Sequence, residues 1–236
     1  MAAGPTVFLL EGSGLRLLEV RLELHGLFWF HTFAQPRDKY THIMLPVVHN
    51  YPLTLALLGL PGEAYASVSG VKTFSYKPED IWERHGFYVY PALVEKAVSR
   101  ILTFSMGGTG YVQLKPQTRA SVPDYTAIQL FLPGTRLRTF ILARAGYSPP
   151  RFIRMGAKRY GVFRVYAKSR GRARVDEQRG RAITHPFNAR DTGSSSYQAV
   201  LRHYAGPIAI GGAVDRVVVA GDVVLALPQF IEGREP

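Results

Sequence analysis

The 236-residue chain has no cysteine, so neither a disulfide framework nor a thiolate metal site is open to it. Long apolar runs are missing too. Residues 40–62 are broken by prolines, histidines and Asn50, and the apolar run 207–214 stops at Asp215, so no segment reads as a bilayer span. The opening MAAGPTVFLLEGSG lacks the basic start and longer apolar core of a secretory signal, which makes a cytoplasmic location the expectation. There is no internal repeat and no Pro- or Ser-rich linker, so one domain over residues 1–236 is expected. With 47% hydrophobic residues, the chain can build an ordinary core.

Acids are scarce in one part of the chain. Residues 133–190 hold 15 Lys or Arg against Asp176 and Glu177, whereas the rest has 14 basic and 15 acidic residues. The formal net charge of +12 therefore lies in one segment. Its densest stretch, PRFIRMGAKRYGVFRVYAKSRGRARV (150–175), carries nine Lys or Arg, no acid, and aromatic residues between the charges. Cations concentrated in this way are the footprint of a polyanion, because neutralising phosphates releases condensed counterions.

Several elements can be read from periodicity. Residues 18–24 alternate, with Val20, Leu22 and Leu24 on one face and Glu19, Arg21 and Glu23 on the other, the mark of a half-buried strand. HNYPLTLALLGLPG predicts a short buried helix with Asn50 as N-cap, Pro52 in the first turn, and Gly59 and Pro61 beyond its end. Residues 62–86 are mixed and turn-rich, and GFYVYPA reads as a strand stopping at Pro91. Residues 93–102 place Val94, Val98, Ile101 and Leu102 on a helical stripe, although ILTFSM reads equally as a strand. Residues 128–132 and 137–142 are strand candidates around the Pro133-Gly134 turn. Tyr197, Val200, Leu201 and Tyr204 have helical spacing behind Ser194 to Ser196, and residues 214–220 and 223–227 flank a Gly221-Asp222 hairpin turn. The sum is an α+β chain whose strands outnumber its helices.

If residues 162–168 form a strand, the pleat sends Val162, Arg164, Tyr166 and Lys168 to one face and Phe163, Val165 and Ala167 to the other. Such a surface suits single-stranded RNA, with Tyr166 stacked on a base and Arg or Lys on phosphates; a plain solvated face has the same pattern. In RMGAKR, Gly156 permits close approach of a phosphate to backbone, with Arg154, Lys158 and Arg159 around it. SRGRARVDEQRGRA reads as a basic loop that orders on nucleic acid or stays solvated.

Signals for chemistry are weaker. His185 in THPFN and His203 in RHY are the acid/base candidates, and neither belongs to a recognisable pairing. His42 and His49 lack metal-ligand spacing. SMGGTGY and GPIAIGGAVD match no phosphate-binding fingerprint and read as turns. No metal and no cofactor are expected.

Taken together, PVVHNYPLTLALLGL, FYVYPA, LTFSMG, PPRFIRMGAKRYGVFRVYAK and THPFN, in this order and at about these separations, resemble the small RAMP-type subunit of type I-D CRISPR effector complexes, the Csc-one branch of the Cas-five family. The resemblance runs over about residues 18–228. Met155 and Ala157 stand where an R-L-G-K pattern would have Leu and Lys. The resemblance implies a modified ferredoxin-like, RNA-recognition-type fold, with a protruding hairpin drawn from 62–86 or 107–123 and a C-terminal β extension. It implies a non-catalytic subunit that caps the 5′ handle of the guide RNA, contacts the backbone and large subunits, and helps meet the protospacer-adjacent motif of target DNA. His49, Asn50 and Tyr51 are by resemblance near the handle. The candidate RNA-binding set is then His49, Asn50, Tyr51, Arg151, Arg154, Lys158, Arg159, Arg164, Tyr166, Lys168, Arg170, Arg172 and Arg174. Two alternatives stay open: a metal-independent guide-processing endoribonuclease with His185 as base, and a general RNA-binding or ribosomal protein.

Overall fold

The computed structural model describes residues 7–9, 15–29, 34–36, 41–60, 77–105, 125–156, 160–170, 173–176, 182–202 and 205–231. In chain order these form β1 (Val7–Leu9), β2 (Leu15–Leu24), β3 (Ala34–Pro36), β4 (Thr41–Met44), β5 (Val47–Val48), α1 (Asn50–Leu57) and α2 (Pro78–His85). Then come β6 (Phe87–Val89), β7 (Ala92–Lys96), β8 (Ser99–Ser105), β9 (Tyr125–Phe131), β10 (Arg136–Arg144), β11 (Phe152–Met155), β12 (Gly161–Ser169) and β13 (Arg174–Asp176). The last part holds β14 (Phe187–Asn188), α3 (Ala189–Thr192), β15 (Ser196–Leu201), β16 (Ile208–Ala213), β17 (Val217–Ala220) and β18 (Val223–Ala226). The fold is α+β, strand-dominated and mostly antiparallel, with β4 and β9 paired in parallel. No helix among the described residues is long and apolar enough to cross a membrane.

The central sheet has the order β11-β12-β2-β10-β7-β5, with β6 also paired to β10. Alternation along β2 and β10 divides its side chains between two cores. Leu18, Val20, Leu22 and Leu24, with Leu137 and Ile141, join Phe163, Ile153 and the α1 residues Leu53, Ala56 and Leu57. On the opposite face Leu17, Phe140 and Leu142 pack with Tyr88, Tyr90, Val218 and Leu225, so the sheet β1-β13-β17-β18 covers one end of that face. A fully buried Leu such as Leu53 contributes on the order of 2 kcal/mol from water removal.

The β17–β18 hairpin forms around Gly221-Asp222 as the sequence predicts, and β6 ends before Pro91. Other elements depart from expectation. Residues 93–102 are two strands, β7 and β8, and not a helix. Between them the Thr135 hydroxyl accepts from Val98 N–H and donates to Val98 C=O, both at 3.0 Å, so tertiary pairing overrides the helical stripe. Tyr197, Val200 and Leu201 are not helical either: Ser196–Leu201 is β15, paired to β16, and Tyr197 stays exposed, while Tyr204 lies outside the described residues. The candidates around the Pro133-Gly134 turn are strands, β9 and β10, which join different sheets: β9 pairs with β8 and β10 with β2.

Within 62–86, Pro78–His85 is helix α2, with Pro at its start, Glu79 and Asp80 in the first turn, Arg84 and His85 in the last, and Gly86 beyond. Those terminal signals match the helix dipole, but Ile81 and Trp82 alone made no apolar stripe. The rest of 62–76, and 107–123, lie outside the described residues, as do His42's side chain and His203.

Candidate nucleic-acid interface

Strand β12 forms as the pleat requires. Phe163 is fully buried, Arg164 and Lys168 are exposed, and Tyr166 is half-buried. Register then assigns each a cross-strand neighbour on the same face: Arg164 lies opposite Glu23 and Phe152, Tyr166 opposite Arg21, and Lys168 opposite Glu19. On the far side of β2, Arg136 lies opposite Glu23 and Arg138 opposite Arg21. Arg154 on β11, opposite Val162, shares this side and is exposed.

The face is thus less uniformly cationic than β12 alone implies. Six cations, Arg21, Arg136, Arg138, Arg154, Arg164 and Lys168, share it with Glu19 and Glu23, so a positive excess survives. Arg138 is partly spent on Glu95, 2.9 Å away, with both side chains about a third exposed (34% and 39%), a pair worth less than about 1 kcal/mol.

Tyr166 is not a bare stacking platform. The guanidinium carbons of Arg21 and Arg164 lie 5.0 and 5.1 Å from its ring centroid, so its own strands supply the cations that a base would meet. Phe152, 58% exposed and directly across from Arg164, is the more available ring. Sequence reasoning passed over Arg21, Arg136 and Phe152. Their signal was present in the polar positions of alternating strands, and it takes the register to join them to β12.

The remaining candidates scatter. Arg151 is exposed beside β11, and its carbonyl accepts from Val165 N–H. Arg170 is engaged: its Nε lies 2.7 Å from Glu19, and its Nη1 lies 3.7 Å from Asp222 in the β17–β18 turn. It ties two sheets together, which argues against the free phosphate ligand expected. Arg174 is exposed but belongs to β13 in the other sheet. Lys158, Arg159 and Arg172 lie outside the described residues. Gly156 adopts φ +90°, and an added Cβ would come 2.8 Å from the Phe28 ring, so core packing already demands glycine there.

His49 and Asn50 are corrected from surface contacts to core residues, both at 0% exposure. His49, not Asn50, is the N-cap of α1, its Nδ1 accepting from Tyr51 N–H at 3.1 Å, while its Nε2 lies 2.9 Å from Gly206 O. Asn50 donates to Asp191 at 2.8 Å and to Tyr88 OH at 3.2 Å, and accepts from Asn188 at 3.3 Å. Tyr88 OH also donates to Asp191 at 2.8 Å. Burial pushes the Asp191 carboxyl up to about 7, with the Tyr88 and Asn50 hydrogen bonds opposing. Neither His49 nor Asn50 can meet a guide strand unless this network opens; Tyr51 is half-buried.

His185 is likewise a core residue and no accessible base. It is 3% exposed, Nε2–H donates to Pro91 O at 2.7 Å, and its ring stands edge-on to Phe140 at 4.9 Å. Burial pulls its pKa down to about 4; the Pro91 hydrogen bond opposes this and the Arg138 charge adds to it. Among the described residues, no cluster of three or more His, Asp or Glu is placed to hold a metal ion.

A search of curated proteins gives no match. The family model for the type I-D CRISPR-associated protein Cas5/Csc1 matches residues 15–205, which take in every element from β2 to β15, the cationic face and the buried network. The chain belongs to that family.

Proposed function

We propose that the protein is a non-catalytic guide-RNA-binding subunit of a type I-D CRISPR interference complex, capping the 5′ handle of the guide and helping to form the end where the target motif is met. Its partners in this reading are the guide RNA, target DNA near the protospacer-adjacent motif, and the backbone and large subunits. It acts in the cytoplasm, away from membranes and without a cofactor, on a modified ferredoxin-like scaffold of one domain.

The observation that carries the reading is the open side of the β11-β12-β2-β10 sheet, where six cations outnumber three acids, Glu19, Glu23 and the Glu95 paired with Arg138, and Phe152 stands exposed beside Arg164. Phosphates lie on Arg154, Arg164, Lys168 and Arg21, with Arg151, Lys158 and Arg159 adjoining in sequence, and a base meets Phe152 or the Tyr166 edge. Sheet surfaces of this composition bind single strands by stacking and charge.

Anisotropy of a labelled handle RNA, titrated at several salt concentrations, tests it. With about five phosphates contacted, log affinity falls with log salt at a slope of about −3.5, and Arg164→Ala or Lys168→Ala each reduces the slope by about 0.7. A flat salt response refutes the reading. Repeat RNA incubated with the protein in EDTA stays intact; cleavage would favour an enzyme instead.

A further inference from the structure

An apolar slot of about 290 Å³ opens beside the cationic face, lined by Leu27, Trp29, Leu102, Leu130 and Tyr160. The local chain explains it. Just past β2, Phe28 pairs by backbone with Phe131 (3.0 and 2.9 Å) and is fully buried in the main core. Its neighbours Leu27 and Trp29 line the slot, Leu27 44% exposed and Trp29 half-buried and also packed against the main core. Trp29 stacks on Tyr160, centroids 5.7 Å apart and planes inclined by 26°.

Two cations frame this aromatic wall. Arg100 lies opposite Leu130 on the β8–β9 ladder, two positions from Leu102, so all three share a face. On the other side, Tyr160 leads directly into Gly161 and the cationic strand β12, next to Arg154 on β11. Chain adjacency thus brings the slot next to the surface assigned to RNA.

We propose that this slot receives one unstacked nucleobase of single-stranded RNA, its face against the Trp29–Tyr160 pair and its flanking phosphates on Arg100 and Arg154. The inference rests on the RNA-binding reading above. A base supplies the π-face that the stacked rings and leucines accept and the anionic linkages that the two arginines require. An apolar side chain of a protein partner would use only the walls. Among the described residues the lining offers the Tyr160 hydroxyl and the Trp29 indole N–H as its polar side-chain groups, so the slot reads the presence of a base and not its identity.

The test uses the full chain and a single-stranded RNA oligomer, with tryptophan fluorescence and RNA anisotropy measured together. The chain has two tryptophans; Trp82 is 7% exposed in the second core, so quenching by RNA reports Trp29. Quenching disappears in Trp29→Phe. Leu102→Trp, at a position 40% exposed, fills the slot without touching the core and weakens binding about tenfold, the scale of one base–aromatic stack, with the salt slope unchanged. All four bases quench alike, and an oligomer of abasic sites does not. If RNA binds without quenching, or Leu102→Trp binds as tightly as the parent, the slot is overturned while the cationic-face reading stands. If RNA fails to bind at any salt, both fall.

Discussion

Asp191→Asn, followed by urea unfolding at a series of pH values, tests the buried network that joins α1 to α3. Asp191 is 5% exposed, and its carboxyl is raised from 3.8 to about 7 by burial. The folded state therefore binds the proton more tightly than the unfolded chain, and stability present below about pH 4 is lost as pH rises through about 7. Three units at 1.36 kcal/mol each make this about 4 kcal/mol. His185 works in the opposite sense. Its pKa falls from 6.5 to about 4, so the unfolded chain binds the proton more tightly and stability rises between about pH 4 and 6.5, by about 3 kcal/mol. In the parent protein the two contributions nearly cancel, leaving a shallow profile. In Asp191→Asn, Asn50 Nδ2 and Tyr88 OH, which both donate to Oδ2, still find an acceptor, and the opposing charge is gone. The variant's urea midpoint should climb between pH 4 and 6.5, and above pH 7 it should exceed the parent's. Asp191→Ala removes the acceptor that Asn50 Nδ2 and Tyr88 OH share, leaving Asn50 its weaker contact with Tyr88 OH, and should be less stable than Asp191→Asn throughout by about 1–3 kcal/mol. Parallel pH profiles for Asp191→Asn and the parent would refute the reasoning.

Other perturbations separate surface from scaffold. Glu19→Gln and Glu23→Gln, which remove the acids opposite Lys168 and Arg164, should tighten RNA binding severalfold at low salt; unchanged affinity would place the strand of RNA off this face. Arg170→Ala, whose guanidinium is held by Glu19 and Asp222, should weaken RNA binding less than Arg164→Ala, read by the same anisotropy titration. Gly156→Ala meets both a positive φ and the Phe28 ring and should cost more than about 1 kcal/mol in thermal or urea unfolding. Thr135→Val removes both hydrogen bonds to the Val98 backbone, for a loss of about 2–3 kcal/mol.

Strand β2 and the β17–β18 hairpin were legible because their signals are local: period-two alternation, and a Gly-Asp turn between apolar runs. Residues 93–102 and 197–201 misled for the converse reason. Their apolar spacing fits a helix, but Thr135 and β16 hold them extended through partners distant in sequence. Helix α2 was missed because its signals sit at its ends and not along a stripe. At the candidate site, the alternation of β12 was readable, whereas the acids that temper it come from β2, over 130 residues earlier. A charge count along one strand cannot supply the charges of its neighbour.

This difference bears on what the family resemblance means physically. HNYPLTL, FYVYPA and THPFN are among the stretches that identify the chain, and the structure brings them together out of solvent: Asn50, Tyr88, Asn188 and Asp191 share hydrogen bonds, and His185 reaches Pro91. Buried polar groups tolerate few replacements because each lost partner leaves an unpaid desolvation cost on the other. Such residues can identify a scaffold through its packing alone. The cationic face, in the proposed role, obeys a looser rule, since phosphates need cations somewhere on a surface and not at one position. The recognisable stretches therefore divide: HNYPLTL, FYVYPA and THPFN hold the scaffold, whereas PPRFIRMGAKRYGVFRVYAK carries Arg154, Arg164 and Lys168, which would hold a guide. Substitutions in the first should act on unfolding curves, and substitutions in the second on salt-dependent affinity, so a variant such as Asn50→Ala that weakened RNA binding without lowering stability would break this division.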